Sequence, residues 1–205
     1  IARAFAYKDS VSQINRNLRA TEYTPRMKMA LILAALLLAG LDAAYAKNHP
    51  DVDRAIDTAI RRACGKMDGN LTVAHLAKVT QLGLAEQRIN DLTRLGELPN
   101  LQSLWLHRNQ ITDLKPLVAL TKLTELHLTH NKVTDLTPLK ELKELRTLTL
   151  DSNQITQLKG LEELTALKEL SLNNNPQLDI PYIINLQRTL PKCVIHHNTT
   201  RTEIR

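Results

Sequence analysis

The feature that most limits what this chain can become is a unit that begins at Val79 and returns every 22 residues, at Leu101, Leu123, Leu145 and Leu167. The middle copies read LQSLWLHRNQITDLKPLVALTK, LTELHLTHNKVTDLTPLKELKE and LRTLTLDSNQITQLKGLEELTA. Leucine or a close substitute holds positions 1, 4, 6, 11, 14, 17 and 20 of the unit. A side-chain amide holds position 9, as Gln87, Asn109, Asn131, Asn153 and Asn175. A period in the twenties that joins a short strand pattern to a polar turn marks a solenoid, in which each unit buries its leucines only against its neighbours.

Each position has a physical reason. Leu126 and Leu128 stand two apart and share the buried face of a strand, while Glu125, His127 and Thr129 point the other way. Such strands stack in parallel into one sheet. The amides at position 9 then satisfy main-chain groups where each coil leaves the strand, which makes Gln87, Asn109, Asn131, Asn153 and Asn175 a structural ladder rather than a catalytic set.

These units resemble bacterial leucine-rich repeats of the 22-residue class, similar to those of internalins and of certain protein phosphatase regulators. The resemblance covers Val79 to about Asn175, where five copies agree in register. It implies an α/β solenoid: a leucine-rich repeat arc with a parallel β-sheet on the concave face, a helical cap before it and a helix-strand cap after it. It also implies that the concave face binds other proteins, although a fold hosts many roles and the site needs its own argument.

Ahead of the repeats, Met27 is followed by Lys28, an apolar run from Ala30 to Gly40, and small residues at Ala44 and Ala46. That is the three-part form of an export signal over 27–46, with cleavage after Ala46. A membrane anchor is the other reading, but the run falls short of the ~20 apolar residues that span a bilayer, and Asp42 interrupts its end. Leu41 stands where a lipoprotein signal needs its cysteine. Residues 1–26 have no strong apolar period and read as upstream frame or, alternatively, as a long native leader. The expected divisions are therefore 1–26 leader, 27–46 signal, 47–78 helical cap, 79–175 repeats, 176–197 second cap and 198–205 tail. The expected location is exported: periplasmic, cell-surface or secreted.

Charge follows from that division. The chain holds 27 Lys plus Arg and 21 Asp plus Glu, of which six and three precede Lys47, leaving 21 against 18. The remaining excess is interspersed rather than gathered, and after Ala46 only Trp105 and Tyr182 are aromatic. Neither suits nucleic acid, which wants a basic stripe or stacking platforms. No membrane span is expected after signal cleavage, and a monomer is expected. Cys64 and Cys193 fall at opposite ends of the solenoid, roughly 19 Å apart by strand spacing, too far for the ~7 Å limit of a disulfide. They read as small core residues, with a free or intermolecular thiol as the alternative.

In the first cap, Val52, Ile56, Ala59, Ile60 and Ala63 give a helix with one apolar stripe and Asp51 placed to cap it. Thr72 can cap a second short helix, with His75 where a capping box would want Glu or Gln. Pro116 and Pro138 recur on the convex side, where a short 3₁₀ connection suits them, and Gly160 replaces them next. Pro181 opens a last helix whose Ile183, Leu186 and Leu190 face the core, before a closing strand at Cys193, Val194 and Ile195.

Binding chemistry is sought on the concave face, at positions 3, 5, 7 and 8. The candidate residues are Trp105, His107, Arg108, His127, Thr129, His130, Thr149, Asp151, Ser171 and Asn173. Trp105 is the anomaly: a large aromatic pointed outward beside Gly83, either an anchor for a partner or a cover lying across the glycine. His107 and His127 stand about 8 Å apart by strand geometry. Zinc wants three or four ligands, however, and no carboxylate or thiol is fixed nearby, so no metal or other cofactor is expected. No GxSxG, HExxH, phosphate loop or divergent carboxylate pair supports an enzyme. His196 and His197 read as surface residues beyond the last strand. The expected function is an exported module that binds a protein, or a cell-surface polymer, through this face. The alternative is a structural or regulatory part of a larger envelope assembly that binds through caps or convex side. Basic donors around Trp105, with Asp151 limiting the positive field, suggest an acidic or polar protein partner that binds more tightly below about pH 6.5.

Overall fold

A computed structural model describes residues 50–199. The leader at 1–26, the signal at 27–46, the tail beyond Thr199 and the side chains of Asp51 and Val52 lie outside the described residues. Helix α1, Pro50–Cys64, already contains Asp51, so this residue stands in the first turn rather than ahead of it.

The leucine pattern folds as its period demands. Strands β1 Gln81–Gly83, β2 Ser103–Trp105, β3 Glu125–His127, β4 Thr147–Thr149, β5 Glu169–Ser171 and β6 Val194–His196 form one parallel sheet in chain order. Leu82, Leu104, Leu126, Leu148 and Leu170 pair in sequence, and the final step joins Leu170 to Ile195. Each central leucine has at most 2% of its surface exposed. The leucines two residues on, from Leu84 to Leu172, are buried equally deeply and form the second column of the core. The solenoid is thus one hydrophobic core, continuous from Ile56 to Cys193.

On the convex side three 3₁₀ turns, Thr93–Glu97, Lys115–Ala119 and Thr137–Glu141, return the chain, with Pro116 and Pro138 in the first turns of the second and third. An aspartate two residues before each turn's first residue organises the start: Asp91, Asp113 and Asp135 accept from the amides of Thr93, Lys115 and Thr137 at 2.7, 2.9 and 2.9 Å. These bonds to Thr137 hold the Asp135 carboxyl below its usual range. This recurrent aspartate turn goes beyond the sequence reading. The fourth copy needs its glycine. Gly160 has φ +99°, and a Cβ there would lie 2.8 Å from the Thr137 Cα of the preceding coil.

Helix α1 seats Ile56 and Ile60 on the first coil, but Ala63, expected on the same stripe, is exposed. Cys64, four residues after Ile60, carries the stripe to the end of the helix instead, and the chain leaves at Gly65, where φ is +68°. Asp57 ties the cap to the repeats: it accepts from Arg61 Nε at 2.7 Å and pairs at 3.4 Å with Arg94, which is 5% exposed. In the short helix α2, Val73–Leu76, His75 takes the part usually played by glutamate, its Nδ1 accepting the Thr72 backbone amide at 3.2 Å. Helix α3, Ile180–Thr189, has Pro181 in its first turn and buries Ile183 and Leu186, with Leu190 buried just beyond its end. Cys64 and Cys193 are both free thiols, and burial pushes Cys193 up from its usual pKa.

Candidate functional site

The concave face is built on the turn that ends each strand. Asn109 Nδ2 donates to the carbonyls of Leu84 at 2.7 Å and Leu106 at 2.9 Å, while its Oδ1 accepts from the amides of Gln87 at 3.1 Å and Ile89 at 2.9 Å. Asn131, Asn153 and Asn175 donate in the same way to both coils, and each accepts from the preceding coil. Gln87 departs from the expected ladder. It is exposed and its amide donates to Ala85 within its own coil at 3.1 Å, because among the described residues no strand precedes β1 for it to reach. Its backbone receives the ladder instead of its side chain continuing it.

Position 8 was read as a continuation of the strand's outward face. The structure makes it a turn residue in the left-handed region, with φ between 55° and 60° at Glu86, Arg108, His130, Ser152 and Asn174. The conformation is otherwise unfavourable for such side chains. It aims each amide at the next coil: Arg108 N donates to the Thr129 carbonyl and His130 N to that of Asp151, both at 2.9 Å. The parallel ladder thereby runs beyond the strand. His130 and Asn174 are of types enriched in this region; Glu86, Arg108 and Ser152 are not.

Of the sequence-predicted residues, Trp105, His107, Arg108, His127, Thr129, His130 and Thr149 line one open concavity of about 420 Å³. Trp105 does not lie across Gly83. Its ring stacks on His127 instead, with centroids 6.0 Å apart and planes within 2°. A Cβ added at Gly83, the register partner of Trp105, would meet nothing within 4 Å, so the position beside the indole on that strand is open. His127 is fixed from its far side too, its Nδ1 lying 3.2 Å from Thr149 Oγ1, which in turn accepts from Thr129 Oγ1 at 3.1 Å. With its acceptor role toward Thr129 filled, the Thr149 hydroxyl is free to donate to a neutral imidazole. Burial pulls the His127 pKa below 6.5, reinforced by His107 and opposed by Glu125 and Glu169. Arg108 pairs with Glu86 at 3.1 Å on an exposed rim.

Asp151, Ser171 and Asn173 belong to a second, neighbouring concavity of about 610 Å³ that shares Thr149. Asp151 Oδ1 accepts from Ser171 Oγ at 2.6 Å and from the Asn173 amide at 2.8 Å. Its carboxylate therefore organises the coil. His196 and His197, both exposed, line the same concavity with Glu169; His196 is the last residue of β6, aligned with Ser171, rather than beyond it, and His197 follows the strand. The sequence signal was an alignment of Ile195 with Leu170 across a coil three residues longer than the others. His127 is engaged with Trp105 and Thr149, and among the described residues no group of three or more His, Cys, Asp or Glu could hold a metal.

Comparison with known proteins agrees with this geometry. A model described as Leucine Rich repeats (2 copies) matches residues 99–141 and 143–185. An internalin (inlF) of Listeria monocytogenes superposes with TM-score 0.66 at 30% identity, over 76% of this chain and 45% of its own. Internalin C2 of the same organism gives TM-score 0.50 at 29% identity, over 74% of this chain and 87% of its own. A leucine-rich repeat protein of Leptospira interrogans gives 0.55 at 31%, over 63% of this chain and 36% of its own. The chain thus spans less than half the length of two of these relatives. No curated protein sequence matches it significantly.

Proposed function

We infer that this leucine-rich repeat protein, internalin-like in its 22-residue units, is an exported module that binds another protein through its concave face around Trp105. Leucine-rich repeat proteins of the internalin type are generally protein-interaction modules, and the fold is typically non-enzymatic. The observation that carries the site is the half-buried indole, held by its stack on His127 at an open concavity otherwise lined by polar groups. A rigid aromatic is ordered before the partner arrives, so it loses little entropy on binding, and tryptophan is the residue most often found at interface hot spots. The stretch from Met27 to Ala46 supports export, and among the described residues no helix is long and apolar enough to cross a membrane.

The test is capture of envelope and culture proteins by the chain starting at Lys47, beside its Trp105→Ala variant. A specific partner should bind the variant at least about 2 kcal/mol more weakly while the two melt alike. A partner held equally by both would move the site elsewhere. Tyr182, Ile184 and Val194 are apolar and exposed at the second cap, which favours that end as the alternative surface for an assembly.

A further inference from the structure

The two sides of the Trp105 indole have different surroundings. One is covered by His127; the other is on the side of Gly83, its register partner, an open step where an added Cβ would meet no atom within 4 Å. Gly83 and Trp105 are register partners on neighbouring parallel strands, so the step is one side chain wide and the indole is its wall. An aromatic face carries the negative part of the ring quadrupole outward, and tryptophan attracts cations more strongly than the other aromatic residues.

The formal charges on the concave positions point the same way. Positions 3, 5, 7 and 8 carry Glu86, Glu125, Asp151 and Glu169 against Arg108, a formal −3 with histidine counted as neutral. Arg108 is itself paired with Glu86, at 3.1 Å. The expectation of an acidic partner rests on Arg108 and three histidines, His107, His127 and His130, but His127 is stacked on Trp105 and hydrogen-bonded to Thr149. The field at neutral pH is therefore that of the carboxylates.

We propose that the open step over Gly83 takes a cationic side chain, lysine or arginine, of a basic segment of the partner protein, stacked on the free face of Trp105. This rests on the concave-face reading above and adds the chemistry of what enters it. Arginine fits best, since its planar guanidinium can lie flat on the indole, and Glu86, three residues on from Gly83, puts a carboxylate on the same coil.

Trp105 is the chain's one tryptophan, so its emission reports the site in the full protein. The probes are three short glycine-rich peptides that differ only in two central residues, arginine, glutamate or glutamine, together with a neutral oligosaccharide. The arginine peptide should shift Trp105 emission saturably and weaken with added salt, and the glutamate peptide should leave it unchanged. Gly83→Val fills the step with a residue that strands favour, so it should melt at or above the parent temperature and lose roughly threefold or more in affinity for the arginine peptide. Glu86→Gln should weaken the same peptide without filling the step. Caesium should quench the parent's emission more than iodide does, and Gly83→Val should reduce both. Arginine-peptide binding that survives Gly83→Val would overturn the proposal. Tighter binding of the glutamate peptide or the sugar, lost in Trp105→Ala when binding is read by calorimetry, would overturn it while leaving the concave-face reading intact. Emission unmoved by every probe would count against both.

Discussion

At the scale of single residues, the ladder shows how a polar side chain can be as structural as a leucine. Asn131 donates to the Leu106 and Leu128 carbonyls at 3.0 and 2.9 Å and accepts from Ile111 N at 3.0 Å, all of them buried. Asn131→Ala should destabilise by about 1 to 3 kcal/mol in chemical denaturation, since those main-chain groups lose their partners together. Asn131→Asp should be at least as damaging, because a carboxylate would face two carbonyls that need donors. Gln87→Ala should leave the midpoint unchanged within about 0.5 kcal/mol, since that side chain serves only the surface of the first coil. Amide chemistry and spacing made Asn109 to Asn175 legible in the sequence. What failed at Gln87 was topology: a ladder needs a preceding strand, and the repeat alone does not say where the sheet begins. His127 illustrates the same limit, because its stack on Trp105 depends on which way the indole leans. Its depressed pKa means the unfolded chain binds the proton first, so stability should fall as pH drops below 6.5. His107 adds to this, while Glu125 and Glu169 oppose it. Titrating thermal stability from pH 7.5 to 5 should show a loss in the parent that is reduced in His127→Gln.

At the scale of elements, each coil is a strand, a left-handed turn and a convex return, and adjacent coils share every leucine. Leu128 is wholly buried just beyond β3, between the coils of Leu106 and Leu150. Leu128→Ala should cost about 2 to 5 kcal/mol and raise amide exchange in both neighbouring coils more than in the caps. The convex return makes a sharper prediction at Gly160. A methyl group there meets backbone of the preceding coil at 2.8 Å and sits at φ +99°, so Gly160→Ala should destabilise the protein where an exposed glycine replacement commonly stabilises it. The strand, the proline-opened returns and the last helix were readable from period and turn chemistry. The left-handed residue at position 8 was not, because Glu86, Arg108 and Ser152 are ordinary residues held there by amide bonds to the next coil. At those three, local propensity carries no trace of a conformation that tertiary hydrogen bonds impose.

At the scale of the whole molecule, one continuous core carries a sheet whose outward face has Trp105 as its single large aromatic residue. The candidate residues come from the strands and from the turns that follow them, and they divide into two concavities that meet at Thr149. The half around Asp151 is internally hydrogen-bonded; the half around Trp105 keeps an uncovered aromatic face and is where binding is expected. A cationic partner also reverses the pH dependence expected for an acidic one, since protonating His107, His127 and His130 would place positive charge beside the incoming group. The most direct measurement is hydrogen exchange of the protein with and without a captured partner, followed strand by strand. Protection should concentrate on 103–108 and 125–130, the strands and turns around Trp105, and leave β6 and helix α3 unchanged. Protection confined to 180–196 with Trp105's strand unaffected would contradict it and put the partner on the second cap.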